Sequence, residues 1–396
     1  MNGSFAPDGA APTEMRWLSI SAAIASISVV GIAIGLGVPL LSIILETRGH
    51  SASMIGLNTA FAGLASIAAA PLATPLAVRF GVVWTMLAMI VGGALAFIGF
   101  YFAPSFWMWF PLRVVLHMAL TTLFILSEFW ISTSAPPERR GFVLGIYATV
   151  LSLGFAFGPF LFAHLGSGGF MPFGVTFVLV LLAGLPVLAA WRESPAIHNE
   201  EGEASSFISY IWLVPTATAA VLVFGAVETG GFALFPVYGN RIGYSEADAA
   251  LLLTMIGLGN VMLQIPLGII SDRIHDRRLL LAACAAIGFA GMLVLPSIAG
   301  NWHLTAAMLF LWGGVVAGLY TIGLAHLGSR LTGRELASAN AAFVFCYGFG
   351  MLIGPQAIGI GMDLFGPPGF AYALTMFFVA YLLLVLLRVM AKRSRT

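Results

Sequence analysis

Twelve long apolar segments dominate the chain, at roughly residues 17–45, 53–77, 83–103, 107–133, 141–165, 172–191, 207–239, 247–271, 279–299, 303–329, 337–361 and 369–390. Each is long enough to cross the hydrocarbon of a bilayer, which takes about 20 helical residues. Such a chain reads as an all-α membrane protein with twelve transmembrane helices. Composition agrees, since 60% of the residues are hydrophobic and 8% charged, where soluble domains are nearer half apolar. The longest of these segments imply tilt, kinks or helical ends outside the lipid.

The placement of charge orients the spans. With the N-terminus inside, Arg16, Arg79, Arg139, Arg140, Arg192, Arg273, Arg277, Arg278, Arg330, Arg334, Arg388, Lys392, Arg393 and Arg395 fall at cytoplasmic ends and loops. Only Arg48 and Arg241 fall outside, and Arg113 lies within a span. The positive-inside rule then places both termini in the cytoplasm of a bacterial-type inner membrane. The stretch before Arg16 carries Asp8 and Glu14 but no Lys or Arg, unlike a signal-peptide start, so the first span is expected to stay in place. Cys284 and Cys346 both fall in spans, so neither a disulfide nor a metal site is expected.

The chain also repeats itself. Pro71-Leu72 recurs as Pro266-Leu267, the Pro137–Gly141 loop finds its counterpart at 333–337, and Gly154, Gly158 and Pro159 recur as Gly350, Gly354 and Pro355. The offsets, 195 or 196, are about half the chain. Two pseudo-symmetric six-helix halves follow, 1–191 and 207–396, joined by the acidic linker 192–206 and oriented in parallel. In that arrangement a site forms between the halves near the midplane.

At Gly268–Arg278, GIISDRIHDRR, the chain resembles the major facilitator superfamily, whose loop motif joins a glycine, Asp-Arg and a basic pair. Gly268, Asp272, Arg273, Arg277 and Arg278 match, while Ile274-His275-Asp276 depart from the usual short turn. The first-half copy keeps Arg79 and Gly81 but has Ala77-Val78 where the aspartate belongs. Within the superfamily, SEFWISTSAPPERRGFVLGIY, LYTIGLAHLGSRL and LASANAAF look like the YcaD-like group. The resemblance implies a rocker-switch transporter with spans 1, 4, 7 and 10 lining a central cavity. It also implies loop charges that latch the halves.

Within that frame the intramembrane polar residues are the candidates, because a charge in a span is expensive unless it meets a partner or water. On span 4, Arg113, His117, Thr121, Phe124 and Glu128 fall within about 80° at 100° per residue, one polar stripe. Arg113 reads as a cavity cation for an anionic group or a carboxylate, and its placement resembles the superfamily's span-four arginine; the bland alternative is snorkelling to the interface. His117 reads as a proton relay or a satisfied hydrogen-bonding residue. Glu228, in span 7 beside Gly230-Gly231 and Pro236, has three options. It pairs with Arg113, binds a cation, or takes up a proton, since removal from water favours the neutral carboxyl; the bland alternative is a buried acid satisfied by a neighbouring hydroxyl or backbone group. Glu128 and His326 join Asp272, Arg273, Arg277 and Arg278 as a cytoplasmic gate. Tyr147, Phe232, Tyr238, Asn260, Tyr320 and Gln356 are cavity candidates, with ordinary packing or helix–helix hydrogen bonding as the rival for each.

There is no Walker loop, His/Cys cluster or selectivity-filter repeat, so neither an ATP-driven pump nor an open channel is expected. The expected protein is not an enzyme and needs no cofactor. It is a secondary transporter of a small organic solute, proton-coupled, working as a monomer in the lipid bilayer and binding no nucleic acid. An uncoupled facilitator, or a non-transporting sensor or lipid-handling protein on the same fold, are the alternatives.

Overall fold

The computed structural model describes residues 16–136, 139–195, 208–274, 276–328, 331 and 333–393. Among them are twelve helices long and apolar enough to cross a membrane: α1 Trp17–Thr47, α2 Ala52–Phe80, α3 Val82–Phe102, α4 Phe106–Ser134, α5 Phe142–Leu165, α6 Met171–Ala189, α7 Pro215–Arg241, α8 Glu246–Arg273, α9 Arg277–Ile298, α10 Trp302–Leu327, α11 Ser338–Phe365 and α12 Gly369–Arg388. No strand occurs among the described residues. The spans match the apolar segments to within a few residues, except that a short helix, Ile208–Leu213, precedes α7. Val214 then leaves helical geometry and Pro215 restarts the chain at the first helical position, where a missing N–H leaves nothing unsatisfied. The linker expected over 192–206 falls mostly outside the described residues. At its start, Glu193 accepts from the Ser19 amide at 3.2 Å and the Ser19 hydroxyl at 2.6 Å, capping the first turn of α1.

The internal repeat reaches into the corners. Gly49 and Gly243 both take positive φ, 83° and 100°, an angle that glycine alone adopts freely. Two residues on, Ser51 and Ser245 cap α2 and α8 by accepting from the Met54 and Asp248 amides. Each pair is related by nearly the offset that relates the rest of the two halves.

Small residues set the packing. A Cβ added to Gly31 of α1 would lie 2.7 Å from the Leu151 carbonyl oxygen and 2.9 Å from Gly154 Cα of α5. In the second repeat, Gly350 and Gly354 of α11 approach the α7 backbone at Leu222 and Ala226 just as closely. The GxxxGP helix of each half therefore lies backbone to backbone on that half's first helix, the close approach that glycine permits in lipid. These two first helices are the most deeply buried, with 78% of the apolar stretch of α1 and 83% of that of α7 inside the protein, against 33% for α2 and α5. They form the centre of the bundle.

The halves meet at the end of the bundle that carries loops 48–51 and 242–245. There Glu46 of α1 accepts from Arg241 Nε at 3.0 Å and from Asn240 Nδ2 at 3.3 Å. Asp363, at the end of α11, accepts from the Ala52 and Ser53 amides at 3.0 and 2.9 Å, so a carboxylate sits on the first turn of α2. On the opposite side of the seam, Glu246 at the start of α8 accepts from the Ser167 amide and hydroxyl at 3.1 and 2.9 Å. Between these bridges α2 lies on α11 and α5 on α8 with almost no side chain intervening. A Cβ on Gly63 would stand 2.7 Å from the Gly348 carbonyl, and one on Gly257 2.7 Å from Ala156 Cα. This end is closed. Toward the other end, Glu128 is exposed.

Candidate functional site

Glu228 stands on α7 in a cleft bounded by α5, α7, α8 and α10. Phe155, Phe224, Phe232, Ile256, Trp312 and Val316 supply most of its wall, and Asn260 is its neutral polar member. Glu228 is the charged one. Its Oε2 accepts a 2.6 Å hydrogen bond from the Tyr347 hydroxyl of α11. One carboxylate oxygen of this cleft-lining residue is thus held by a hydroxyl donor, a bond that a carboxyl oxygen can accept whether the group is charged or neutral. Glu228 can be so deep because α7 sits centrally and glycine at 230 and 231 leaves the adjacent wall thin.

Arg113 does not pair with Glu228. It is completely buried, with Nε and Nη2 donating to Asn58 Oδ1 of α2 at 3.1 and 2.9 Å. Its guanidinium lies 5.6 Å from the Phe100 ring centroid of α3. One turn on, His117 Nδ1 contacts the Arg113 carbonyl oxygen at 3.1 Å, so this nitrogen is turned along its own helix. Thr121 meets Ser66 of α2 at 2.9 Å. The Arg113–Asn58 and Ser66–Thr121 pairs share one sequence separation, because α2 and α4 run parallel in fixed register. The upper polar stripe of α4 is therefore a seam against α2, not a pathway lining. The reason is local: Asn58 and Ser66 offer acceptors that α4 reaches without crossing the cavity.

Glu128 is also placed differently from expectation. It lies within electrostatic reach of Tyr147 and Tyr320, while Asp272 and Arg277 are engaged with each other. Tyr147 is itself fixed by a 2.9 Å contact with Ser127. His326 is buried and engaged by contacts of its own. Arg277 folds onto its own loop and α10. Arg277 bonds Asp272 at 3.2 Å, the Ser271 hydroxyl at 3.2 Å and the Ala325 carbonyl at 2.8 Å, tying the α8–α9 corner to α10 beside His326. Arg273 is exposed, and the Arg278 amide donates to Asp276.

Among the aromatic and amide candidates, Phe232 and Asn260 line the cleft, and Gln264 donates to Asn260 at 2.6 Å. Tyr320 packs on Phe224, Phe343 and Tyr347, with ring centroids 5.7, 5.4 and 6.0 Å away. Tyr238 is not at the cleft. It is buried at the closed end, stacked on Phe370 at 5.1 Å. Gln356 lies where α11 meets Gly56 of α2, also at the closed end. Trp312, Phe155 and Phe224 are lining residues that the sequence did not single out. A signal for the Glu228–Tyr347 pair exists in the repeat. Gly31 meets the Leu151 carbonyl as Gly225 meets that of Tyr347, so Ile34 and Leu151 are the apolar counterparts of Glu228 and Tyr347.

A bundle of twelve membrane-crossing helices in two related halves, packed closely at one end beside a cleft, is the architecture of a multi-pass membrane protein. The Major Facilitator Superfamily profile matches residues 23–355 and 241–396, and the chain belongs to that family. Over 363 residues it is 28% identical to the MFS-type transporter YfkF of Bacillus subtilis, covering 88% of this chain and 90% of the relative. The MFS-type transporter YE1530 of Yersinia enterocolitica is 25% identical over 276 residues, 68% of this chain and 69% of its own length. The fold is similar to the crystal structure of a point mutant of the nucleoside transporter NupG, with a TM-score of 0.77 at 13% identity, covering 94% of this chain and 99% of that one. It is also similar to a bacterial homologue of the human lysosomal transporter Spinster in an inward-facing, unoccupied conformation, with a TM-score of 0.69 at 16% identity, covering 94% and 96%.

Proposed function

We propose that this protein is a secondary transporter that moves a small organic solute by alternating access, coupled to protons through Glu228. The observation that carries this reading is a carboxylate, held by Tyr347, as the charged group of an otherwise apolar cleft. An ionised carboxylate facing such walls is costly when the halves close over it, and protonation or a bound cation removes that cost. Arg113 supports the frame of α2, α3 and α4 instead of serving as the counter-charge. With both termini in the cytoplasm of an inner membrane, the closed end faces outward and the cleft opens inward. The halves correspond to 1–191 and 207–396 about the 192–206 linker, and the runs around Glu128 and Tyr320 favour the YcaD-like group.

The test is reconstitution of the monomeric protein in liposomes with an imposed pH gradient, using a solute found by thermal-shift screening, since a ligand of the folded state stabilises it. Gradient-driven accumulation is expected to vanish in Glu228→Gln. Accumulation that persists in this variant removes Glu228 from the coupling site, and uptake indifferent to the gradient identifies a facilitator.

A further inference from the structure

The sign of the cavity narrows the class of solute. Two carboxylates lie within electrostatic reach of Tyr320, Glu228 in the cleft and Glu128, exposed, toward the end opposite the closed one. Among the described residues, no Lys, Arg or His lines the cleft. The one basic residue embedded in mid-span among those described, Arg113, is sealed against Asn58 and Phe100, and His117 is buried against its own helix. Nothing in this wall can therefore neutralise an anionic solute. Asn260, its neutral polar member, already accepts from Gln264.

The remainder of the wall is aromatic. Phe232 and Phe155 meet edge to face at 5.9 Å, Trp312 lies in the same lining, and Tyr320 and Tyr347 continue the surface toward the carboxylates. Aromatic faces attract cations through the ring quadrupole and also bury apolar bodies. A low-dielectric cleft with one sign of charge concentrates ions of the other sign.

We propose that the solute is a lipophilic organic cation, a protonated amine or quaternary ammonium carried on an apolar body. Its charge sits between Glu228 and Glu128, and its body lies against Phe155, Phe232 and Trp312. This rests on the reading of Glu228 as the site carboxylate and names what else that carboxylate holds.

The experiment uses the full chain in nanodiscs and isothermal titration with two cations of different size, benzyltrimethylammonium and tetraphenylphosphonium. Their anionic counterparts of similar shape are benzenesulfonate and tetraphenylborate. At least one cation is expected to bind saturably with one site, and neither anion to bind within tenfold of it. Glu228→Gln is expected to weaken the cation at least tenfold and Glu128→Gln several-fold, with Glu228→Asp retaining part of the affinity. The proposal is overturned if neither cation binds, if an anion binds as tightly, or if both glutamine variants bind the cation unchanged. The wild-type cation and anion arms decide even if a variant fails to fold. Cation binding that depends on Glu228 without movement driven by a pH gradient sinks proton coupling and leaves this inference standing. Gradient-driven transport of a neutral or anionic solute through Glu228, with no cation bound, does the reverse.

Discussion

The contact between Asp363 and the start of α2 offers a direct handle on the alternating access proposed for this chain. Both carboxylate oxygens accept backbone amides, at 3.0 and 2.9 Å, and these amides belong to the other half of the bundle. When the end opens, the Ala52 and Ser53 amides and the carboxylate return to water. A buried charge-assisted hydrogen bond contributes about 1.5–3 kcal/mol. Asp363 is exposed, so screening and competition from water bring the pair to about 1–2 kcal/mol in total. Removing it in Asp363→Ala shifts the equilibrium by a factor of about 5–30 toward the state with this end open, because the lost bonds exist only in the closed state. Spin labels at Thr47→Cys and Leu364→Cys, exposed positions on α1 and α11, report the width of this end by pulsed electron resonance. The native Cys284 and Cys346 are buried and are replaced by alanine in this background. The expected result is a new population at longer distance. An unchanged distance distribution in a folded Asp363→Ala protein would refute the assignment of this contact as a clamp.

Other expectations follow from the same geometry. Asn58→Ala leaves the buried Arg113 without its acceptor and is expected to lower stability by about 1–3 kcal/mol, read as a reduced Tm. Gly354→Val places a branched side chain against the α7 backbone and is expected to prevent accumulation of folded protein, while Gly268→Ala points into open space and is expected to fold normally. Tyr347→Phe removes the 2.6 Å hydrogen bond to Glu228 without changing the ring and is expected to alter the pH profile of transport more than protein yield. Comparing both readouts in parallel checks it.

The spans, their edges and the two related halves were legible in the sequence because lipid imposes length and apolarity on each segment independently. The placement of Glu228 was legible for a related reason: glycine and proline around a lone acid mark thinned backbone near a cavity. Its partner was not. Arg113 and Glu228 suggest a pair by charge, yet an arginine side chain is long enough to choose among several helices, and Asn58 on the neighbouring α2 is the nearer acceptor. Helical phase alone assigned Arg113, His117 and Glu128 to one face without showing that α2 covers its first part. Tyr238 and Gln356 looked like cavity residues from composition, but depth along a helix decides whether a polar group meets the cleft or the closed seam. The departure of Glu228 and Tyr347 from their repeat counterparts Ile34 and Leu151 was present in the sequence. Seeing it required the slightly different offsets of separate helices to be matched through structure.

The bridge at Glu46 also bears on how the halves recognise each other. By the offset that relates Gly49 to Gly243, Asn240 is the repeat counterpart of Glu46, and Arg241 is that of Thr47. Two copies of the first half would set Glu46 and Thr47 against themselves, and two copies of the second would do the same with Asn240 and Arg241. Neither pairing rebuilds the Glu46–Arg241 bond. Expressed as separate chains, the halves are expected to recognise each other in preference to themselves, a bias carried by one asymmetric seam.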